Sequence, residues 1–270
     1  ADMSTARRLF KGAGADNTNA LAFAGYTGTA NTANTEKWDG SSWTEVNNLN
    51  TARRNSTGIG ASNTAALVVG GYTTTVVGVT ESWNGTNWYE VNDLNTARSS
   101  LAGGLGTQTS GLYVGGTGPT NPSALAEEWN GSVWTEVNDL SVARYAPGGG
   151  GTTSSGIIFG GDGAPALTEE WNADFAYGVW ATATSLNTGK TLGSGFGTQT
   201  AALIFGGNSD NATTELYNGT TWGELNDMNS GRRQLGGAGT STSGLAFGGE
   251  DSGEAVMNET ESWNGIVWSE

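Results

Sequence analysis

The basic residues are the side chains of this sequence with the most regular spacing. One residue recurs at intervals of about 45 positions, as Arg7, Arg53, Arg98, Arg144, Lys190 and Arg232. A second, Arg8, Arg54 or Arg233, follows directly in three cases, so nine of the 11 positive charges occupy this place. Guanidinium groups bind carboxylates and phosphates in bidentate fashion. The spacing therefore predicts either a ring that binds an acidic ligand or a repeated structural salt bridge.

Glutamates with a matching spacing favour the salt bridge. Four of them, Glu45, Glu90, Glu136 and Glu224, lie eight positions before a basic residue, and Glu270 could serve Arg7 if the chain closes on itself. Thr182 stands at this place in the fourth repeat, and the basic residue that follows is Lys190 instead of arginine. Both alternatives remain open from the sequence.

The composition argues against common types of catalysis. There is no His and no Cys, so serine–histidine and cysteine–histidine nucleophiles are excluded. A further carboxylate precedes each repeated aromatic residue, at Glu36, Glu81, Glu128, Glu170, Glu215 and Glu261. Two of these could serve as the acid and base of a glycosidase, but a sixfold repetition is more typical of a structural partner for turn amides or arginine. We expect a protein that is not an enzyme, with no cofactor and no metal.

The aromatic residues reveal the repeat. The first aromatic of a pair is found at Trp38, Trp83, Trp129, Trp171, Tyr217 and Trp263. Its partner is found at Trp43, Trp88, Trp134, Trp180, Trp222 and Trp268. The mean period is about 45 residues, which is typical of propeller repeats, and the chain holds six whole units. This predicts an all-β, six-bladed β-propeller in a single domain, with blades at about 1–46, 47–91, 92–137, 138–183, 184–225 and 226–270.

Each unit divides into four short antiparallel strands, a to d. Strand a is rich in glycine, strand b is an apolar run that ends in Gly-Gly, and strands c and d flank an Asn-Gly or Asp-Gly turn. This turn places both aromatics of a pair on one face of the hairpin. We expect them to pack between blades, although an array for stacking sugars is an alternative.

The Gly-Gly doublet, the aromatic about 12 residues later and the Trp after a tight turn resemble the kelch repeat of β-propellers. Such propellers bind proteins, bind glycans or carry enzymes, so the resemblance implies a fold and leaves the function open. The Asn-, Thr- and Gly-rich, Lys-poor composition is also similar to that of repeats in bacteriophage virion proteins and microbial surface proteins.

Two further features lack the regularity of the repeat. The b–c loops differ from unit to unit, as is typical of recognition loops on a repeated scaffold. The c–d turn of the fourth unit carries an insert with Asp174, Phe175 and Tyr177, which predicts a secondary contact with a ligand or a neighbouring subunit.

These features predict a non-enzymatic recognition module, virion-associated or extracellular, that contacts a protein or glycan receptor. An architectural component held by neighbouring subunits and a glycan-active enzyme are the alternatives. The net charge of −15 disfavours nucleic acid as a partner. No apolar run is long enough for membrane insertion.

Overall fold

The computed structural model describes residues 1–101, 103–174, 177–208 and 211–270. It is an all-β propeller of six four-stranded sheets, as predicted. In each sheet the strands lie in chain order and are antiparallel, so that every blade is a meander of strands a, b, c and d.

The 24 strands follow one another along the chain, four to a blade. They are β1 (Gly12–Asp16), β2 (Asn19–Phe23), β3 (Thr35–Trp38), β4 (Trp43–Val46), β5 (Thr57–Ser62), β6 (Ala65–Tyr72), β7 (Val76–Trp83), β8 (Trp88–Val91), β9 (Gly103–Thr107), β10 (Ser110–Val114), β11 (Ala126–Trp129), β12 (Trp134–Val137), β13 (Gly148–Gly151), β14 (Ser155–Phe159), β15 (Thr168–Asn172), β16 (Val179–Ala183), β17 (Ser194–Thr198), β18 (Ala201–Phe205), β19 (Thr214–Tyr217), β20 (Trp222–Glu224), β21 (Gly236–Thr240), β22 (Ser243–Phe247), β23 (Thr260–Trp263) and β24 (Trp268–Ser269).

The six a strands line the centre of the ring, where β1 contacts both β5 and β21. Glycine is required here because neighbouring backbones approach closely. A Cβ atom on Gly58 would lie 2.4 Å from the carbonyl oxygen of Gly12 in the preceding blade. Since real Cβ atoms do not approach this closely, any larger side chain would push the two a strands apart.

The aromatic pairs fill the spaces between blades. Trp83 and Trp88 are cross-strand partners in the c–d hairpin, with ring centroids 5.2 Å apart, and both side chains are buried. Trp88 also packs edge-on against Phe23 of the preceding blade. Burial of large aromatic side chains contributes strongly to the core, so these pairs hold neighbouring sheets together.

A hydrogen bond between blades accompanies this packing. The indole Nε1 of the strand-d Trp donates to the Thr Oγ1 that opens strand c of the preceding blade, at Trp43–Thr260, Trp88–Thr35, Trp222–Thr168 and Trp268–Thr214. Blade three has Ala126 at the Thr position, and there Trp180 donates instead to the carbonyl of Asn138. In these four cases the Thr hydroxyl satisfies an indole N–H, whereas Nε1 of Trp134 is buried without a hydrogen-bond partner among the described residues.

The a–b turns also connect neighbouring blades, which explains why their sequences are so uniform. The Nδ2 of Asn63 donates to the carbonyl of Trp38 in the preceding blade at 2.8 Å. The carbonyl of Asn63 in turn accepts from Nε1 of Trp83 in its own blade at 3.1 Å. Gln199 makes the equivalent contact to the carbonyl of Trp171.

The ring closes through a contact that also occurs at other junctions between blades. The backbone N–H of Thr260 donates to Oδ1 of Asp2 at 3.1 Å, just as the N–H of Thr35 donates to Oδ1 of Asn48 at 3.1 Å. No strand is shared between the first and last blades, because β1 to β4 form the first sheet and β21 to β24 form the last. Closure therefore depends on side-chain packing and loop contacts.

The indole–threonine hydrogen bond can be tested by Thr35→Val, which keeps the shape of the side chain and removes the acceptor for Trp88. We expect a loss of about 1–3 kcal/mol in the free energy of unfolding, because the indole N–H is left buried and unpaired. The matched control is Thr44→Val at an exposed site on strand d. Equal thermal melts of the two variants would contradict this role.

Candidate ligand-binding face

The connections between strands divide the molecule into two faces. The d–a and b–c connections lie on one side, called here the loop face, and the a–b and c–d turns lie on the other, called the turn face. The regularly spaced basic residues are in the d–a connections of the loop face, just before strand a.

These basic residues are buried. The side chains of the five arginines are fully enclosed, and Lys190 is 1% exposed. Each arginine forms a salt bridge with a glutamate on strand c of its own blade: Arg7–Glu36, Arg53–Glu81, Arg98–Glu127, Arg144–Glu169 and Arg232–Glu261. The arrangement is that of the predicted salt bridge, whereas the alternative prediction of a ligand-binding ring requires exposed charge.

The predicted strand-d glutamate partners were wrong. The prediction of a structural partner for arginine and turn amides is confirmed for Glu36, Glu81 and Glu261 on strand c. Glu45, Glu90, Glu136, Glu224 and Glu270 on strand d are exposed to solvent. The d–a connection instead lies against strand c of the blade that it enters, which is the arginine's own blade. The partner is therefore the residue two positions before the first aromatic. In blades three and four this residue is Glu127 or Glu169, and not the predicted Glu128 or Glu170.

Each strand-c glutamate also holds the d–a connection itself. Glu127 accepts hydrogen bonds from the backbone N–H groups of Asn95 at 2.8 Å and Thr96 at 3.3 Å, in addition to the Arg98 contact at 2.8 Å. The carboxylate thus has several charge-assisted partners, which compensate for its removal from water.

The backbone of each basic residue joins two blades. The carbonyl of Arg98 accepts a 3.0 Å hydrogen bond from the N–H of Gly71, the second residue of the preceding blade's Gly-Gly doublet. A Cβ atom on Gly70, whose φ is +60°, would lie 2.4 Å from that carbonyl oxygen. The doublet and the arginine therefore recur together because they form one contact.

Burial lowers the pKa of Arg7 and of Lys190. Loss of solvation lowers the pKa of Arg7 to about 10, against the opposing effect of Glu36 and Glu45. Desolvation also lowers the pKa of Lys190, an effect that Glu215 opposes. The Nζ of Lys190 donates to the carbonyl and the hydroxyl of Thr213. The salt-bridge partners of the arginines are on strand c. The presence of Thr182 instead of a glutamate on strand d therefore does not explain why blade five has a lysine instead of an arginine.

The second arginines have a different environment. The pairing of strands a and b continues onto the loop face by one bridge in several blades, including Arg8–Tyr26, Arg54–Tyr72 and Arg233–Glu250. We call these six residues, in blades six, one and two, the loop-face cluster. The equivalent bridges in blades three and four join Ser99 to Thr117 and Tyr145 to Asp162. The backbone scaffold is thus repeated while its side chains differ from blade to blade.

One carboxylate serves two arginines in the loop-face cluster. Glu250 is fully buried and pairs with Arg8 and with Nε of Arg233, the latter at 2.9 Å. The cluster contains three guanidinium groups and this one carboxylate, so it carries an excess of positive charge.

Arg54 is held without a carboxylate partner. Its guanidinium carbon lies 5.0 Å from the ring centroid of Tyr26 and 4.7 Å from that of Tyr72, and its Nη1 donates to Oδ1 of Asn31 at 2.9 Å. Arg54 is partly exposed, and no described residue forms a salt bridge with it. A guanidinium group that is fixed between two rings and retains N–H donors is suited to a carboxylate, phosphate or sulfate group.

The sequence contained a signal for this cluster. Only three repeats have a second basic residue, and the positions directly after the Gly-Gly or Ala-Gly doublet of those repeats are Tyr26, Tyr72 and Glu250. A comparison of these two positions across the repeats would have shown where the sixfold pattern is broken.

The described residues of the blade-four insert lie on the turn face. Asp174 is exposed, and Tyr177 is 73% exposed, while the carbonyl of Tyr177 accepts from the N–H of Asn138. Phe175 lies outside the described residues. The secondary contact therefore stays a prediction.

The described residues contain no group of His, Cys, Asp or Glu that could hold a metal ion. Within the same ranges, no helix has the length and apolar character needed to cross a membrane.

The buried pair can be tested by Arg98→Met, which leaves Glu127 buried without its cation. We expect a loss of about 3–5 kcal/mol in the free energy of unfolding. Arg98→Lys should lose less, because Lys190 occupies the same place in blade five. The control is Arg54→Met, for which the expected loss is about 1 kcal/mol or less. If Arg98→Met melts like the wild type, the structural role is wrong.

Comparisons with known proteins support the fold. The chain is similar to the solved structure of YjhT, with a TM-score of 0.81 and 12% sequence identity, over 100% of this chain and 99% of that one. No protein-family model matches the sequence, and no curated protein matches it significantly. A likeness at this identity shows the propeller fold alone.

Proposed function

We propose that this propeller is a non-enzymatic recognition module that binds an acidic group of a protein or glycan receptor on its loop face. Arg54, between Tyr26 and Tyr72, is the observation that carries this proposal. The preorganised guanidinium loses little side-chain freedom on binding, and it can make two parallel hydrogen bonds to one carboxylate, phosphate or sulfate.

The distribution of charge supports the same face. The chain has a net charge of −15, yet the loop-face cluster places three arginines around one glutamate. A positive site on an acidic body directs an acidic partner to that site and repels it elsewhere. Binding at such a site should weaken as ionic strength rises.

The carboxylates that would serve a glycosidase have structural partners. Glu81 and Glu261 are fully buried in salt bridges with Arg53 and Arg232, and Glu170 accepts the hydroxyl of Tyr217 at 2.8 Å. These contacts favour a binding role over the glycan-active enzyme.

The repeat unit and the Asn-, Thr- and Gly-rich composition extend the proposal to a kelch-like propeller on a virion or an extracellular surface. The loop face would then bind a host receptor. An architectural role is the second candidate, and it is favoured by the exposed apolar side chains of the turn face, Tyr177 at 73% and Ile266 at 70%.

The experiment is a screen of the wild-type protein on an array of acidic and neutral glycans and on an array of phosphorylated and acidic peptides, followed by titration of the best ligand. Arg54→Gln should weaken binding about 10-fold to 100-fold, because a charge-assisted hydrogen bond contributes about 1.5–3 kcal/mol. The matched control is Lys37→Gln, which makes the same change of charge on strand c of blade one.

The two arrays also distinguish a glycan from a protein receptor. Equal affinity of the Arg54→Gln and Lys37→Gln variants, or a set of ligands without acidic groups, would contradict the proposed site. Binding that is weakened by Tyr177→Ser and unchanged by Arg54→Gln would instead favour a binding site on the turn face.

A further inference from the structure

A second departure from sixfold symmetry lies in the central cavity. The a strands enclose a cavity of about 150 Å³, whose wall is formed mostly by glycine. This volume holds several water molecules or a small ion. Lys11 directly precedes Gly12 at the loop-face end of strand a in blade one. The residues at the equivalent position in blades four, five and six are Gly148, Ser194 and Gly236.

Lys11 reaches round the ring to blade five. Its Nζ donates to the carbonyl of Gly193 at 2.9 Å, and the residue is 9% exposed. Gly193 has no side chain, so the ammonium group has room beside that carbonyl. An ammonium has three N–H donors, and this is the one hydrogen bond that Lys11 makes to the described residues. Two donors thus remain for a ligand in the cavity.

Ser194 adds a second donor to the same end of the cavity. It directly follows Gly193, lines the cavity and is 1% exposed. Its Oγ lies close to the inner side of blade six, since a Cβ atom on Gly237 would be 2.8 Å from it. No described residue forms a hydrogen bond with this hydroxyl.

The charge of Lys11 lacks a counter-ion. No described carboxylate lies within salt-bridge distance of Nζ. Lys11 is also the one ionisable side chain among the described residues that line the cavity, because the others are Gly, Ala, Thr, Leu, Pro, Ser and Phe. A buried cation without a partner is unfavourable, and an anion that enters the cavity would compensate it.

We propose that Lys11 and Ser194 form a binding site for a small monovalent anion, such as formate or chloride, in the central cavity. The ammonium supplies the charge and the hydroxyl supplies a neutral donor. The cavity has room for an anion of this size. This site is separate from the loop-face cluster and does not depend on its function.

The test is a series of thermal melts in chloride-free buffer at pH 7, with sodium formate exchanged for sodium gluconate at constant ionic strength. Gluconate serves as the exchange anion because it is a much larger carboxylate than formate. The melting temperature of the wild type should rise with formate concentration, as expected when a ligand binds the folded state alone. In Lys11→Met, the formate concentration that gives the same rise should be at least tenfold higher.

Lys37→Met is the matched control and should respond to formate like the wild type. Ser194→Ala should respond at concentrations between those of the wild type and Lys11→Met. A wild-type melting temperature that is independent of formate, or an equal rise in Lys11→Met, would overturn the proposal.

A pH series on the wild type needs no variant. Burial lowers the pKa of Lys11 from 10.5 to about 8, so the ammonium form that binds the anion is lost above pH 8. The formate concentration required for a given rise should therefore increase about tenfold from pH 7 to pH 9. A response that is constant over this range would overturn the assignment to Lys11.

The same pKa predicts the stability of the formate-free protein. Between pH 8 and pH 10.5 the unfolded state binds more protons at Lys11 than the folded state does, so the stability contributed by this site rises with pH. The free energy of unfolding can be measured with denaturant for the wild type and for Lys11→Met. From pH 8 to pH 10.5, the value for the wild type should rise relative to that for Lys11→Met. A difference that does not change with pH would contradict a buried, titrating Lys11.

Discussion

A buried ion pair between an arginine of the d–a connection and a glutamate of strand c recurs around the propeller. Taking both charges out of water is costly, and the cost is offset because the glutamate also binds backbone N–H groups, as Glu127 does with Asn95 and Thr96. The arginine carbonyl meanwhile accepts from the Gly-Gly doublet of the preceding blade. Strand c, the connection between blades and the end of strand b are thus fixed to one another. The loss of one partner would leave the other charge buried and unpaired.

A feature that is repeated from blade to blade for stability cannot readily specialise for one ligand, because each copy must satisfy the same contacts. Specific recognition is therefore expected where the repeat is broken. The loop-face cluster is such a place, since its scaffold recurs while its arginines and tyrosines occur in three adjacent blades. Lys11 is another, within a cavity whose wall is otherwise almost entirely backbone and small side chains. Both places carry positive charge that described carboxylates do not fully neutralise.

The fold was predictable because the signals for it are local and repeated. The Trp pairs and the Gly-Gly doublets report contacts that each blade makes with its neighbour, and six copies make the period unambiguous. The sequence offered glutamates on strand c and on strand d as partners of the arginines, and the choice between them was not predictable. Glu36 and Glu45 are opposite each other in one hairpin, so only the path of the connection decides which of them meets Arg7. Neighbouring residues of an extended chain point to opposite sides. Burial of Arg53 and exposure of Arg54 therefore could not be distinguished without the orientation of the d–a connection.

The central claim concerns the consecutive arginines Arg7-Arg8, Arg53-Arg54 and Arg232-Arg233. The first arginine of each pair stabilises the fold, and the second lies at the surface. Hydrogen–deuterium exchange of Arg53→Met and Arg54→Met, measured beside the wild type, tests it most directly. We expect Arg53→Met to accelerate exchange at the amides of residues 49–52 and along β7, because Glu81 loses its cation and the connection loses its anchor. Arg54→Met should exchange like the wild type in those segments. Equal protection of residues 49–52 in both variants, or faster exchange in Arg54→Met, would contradict the account.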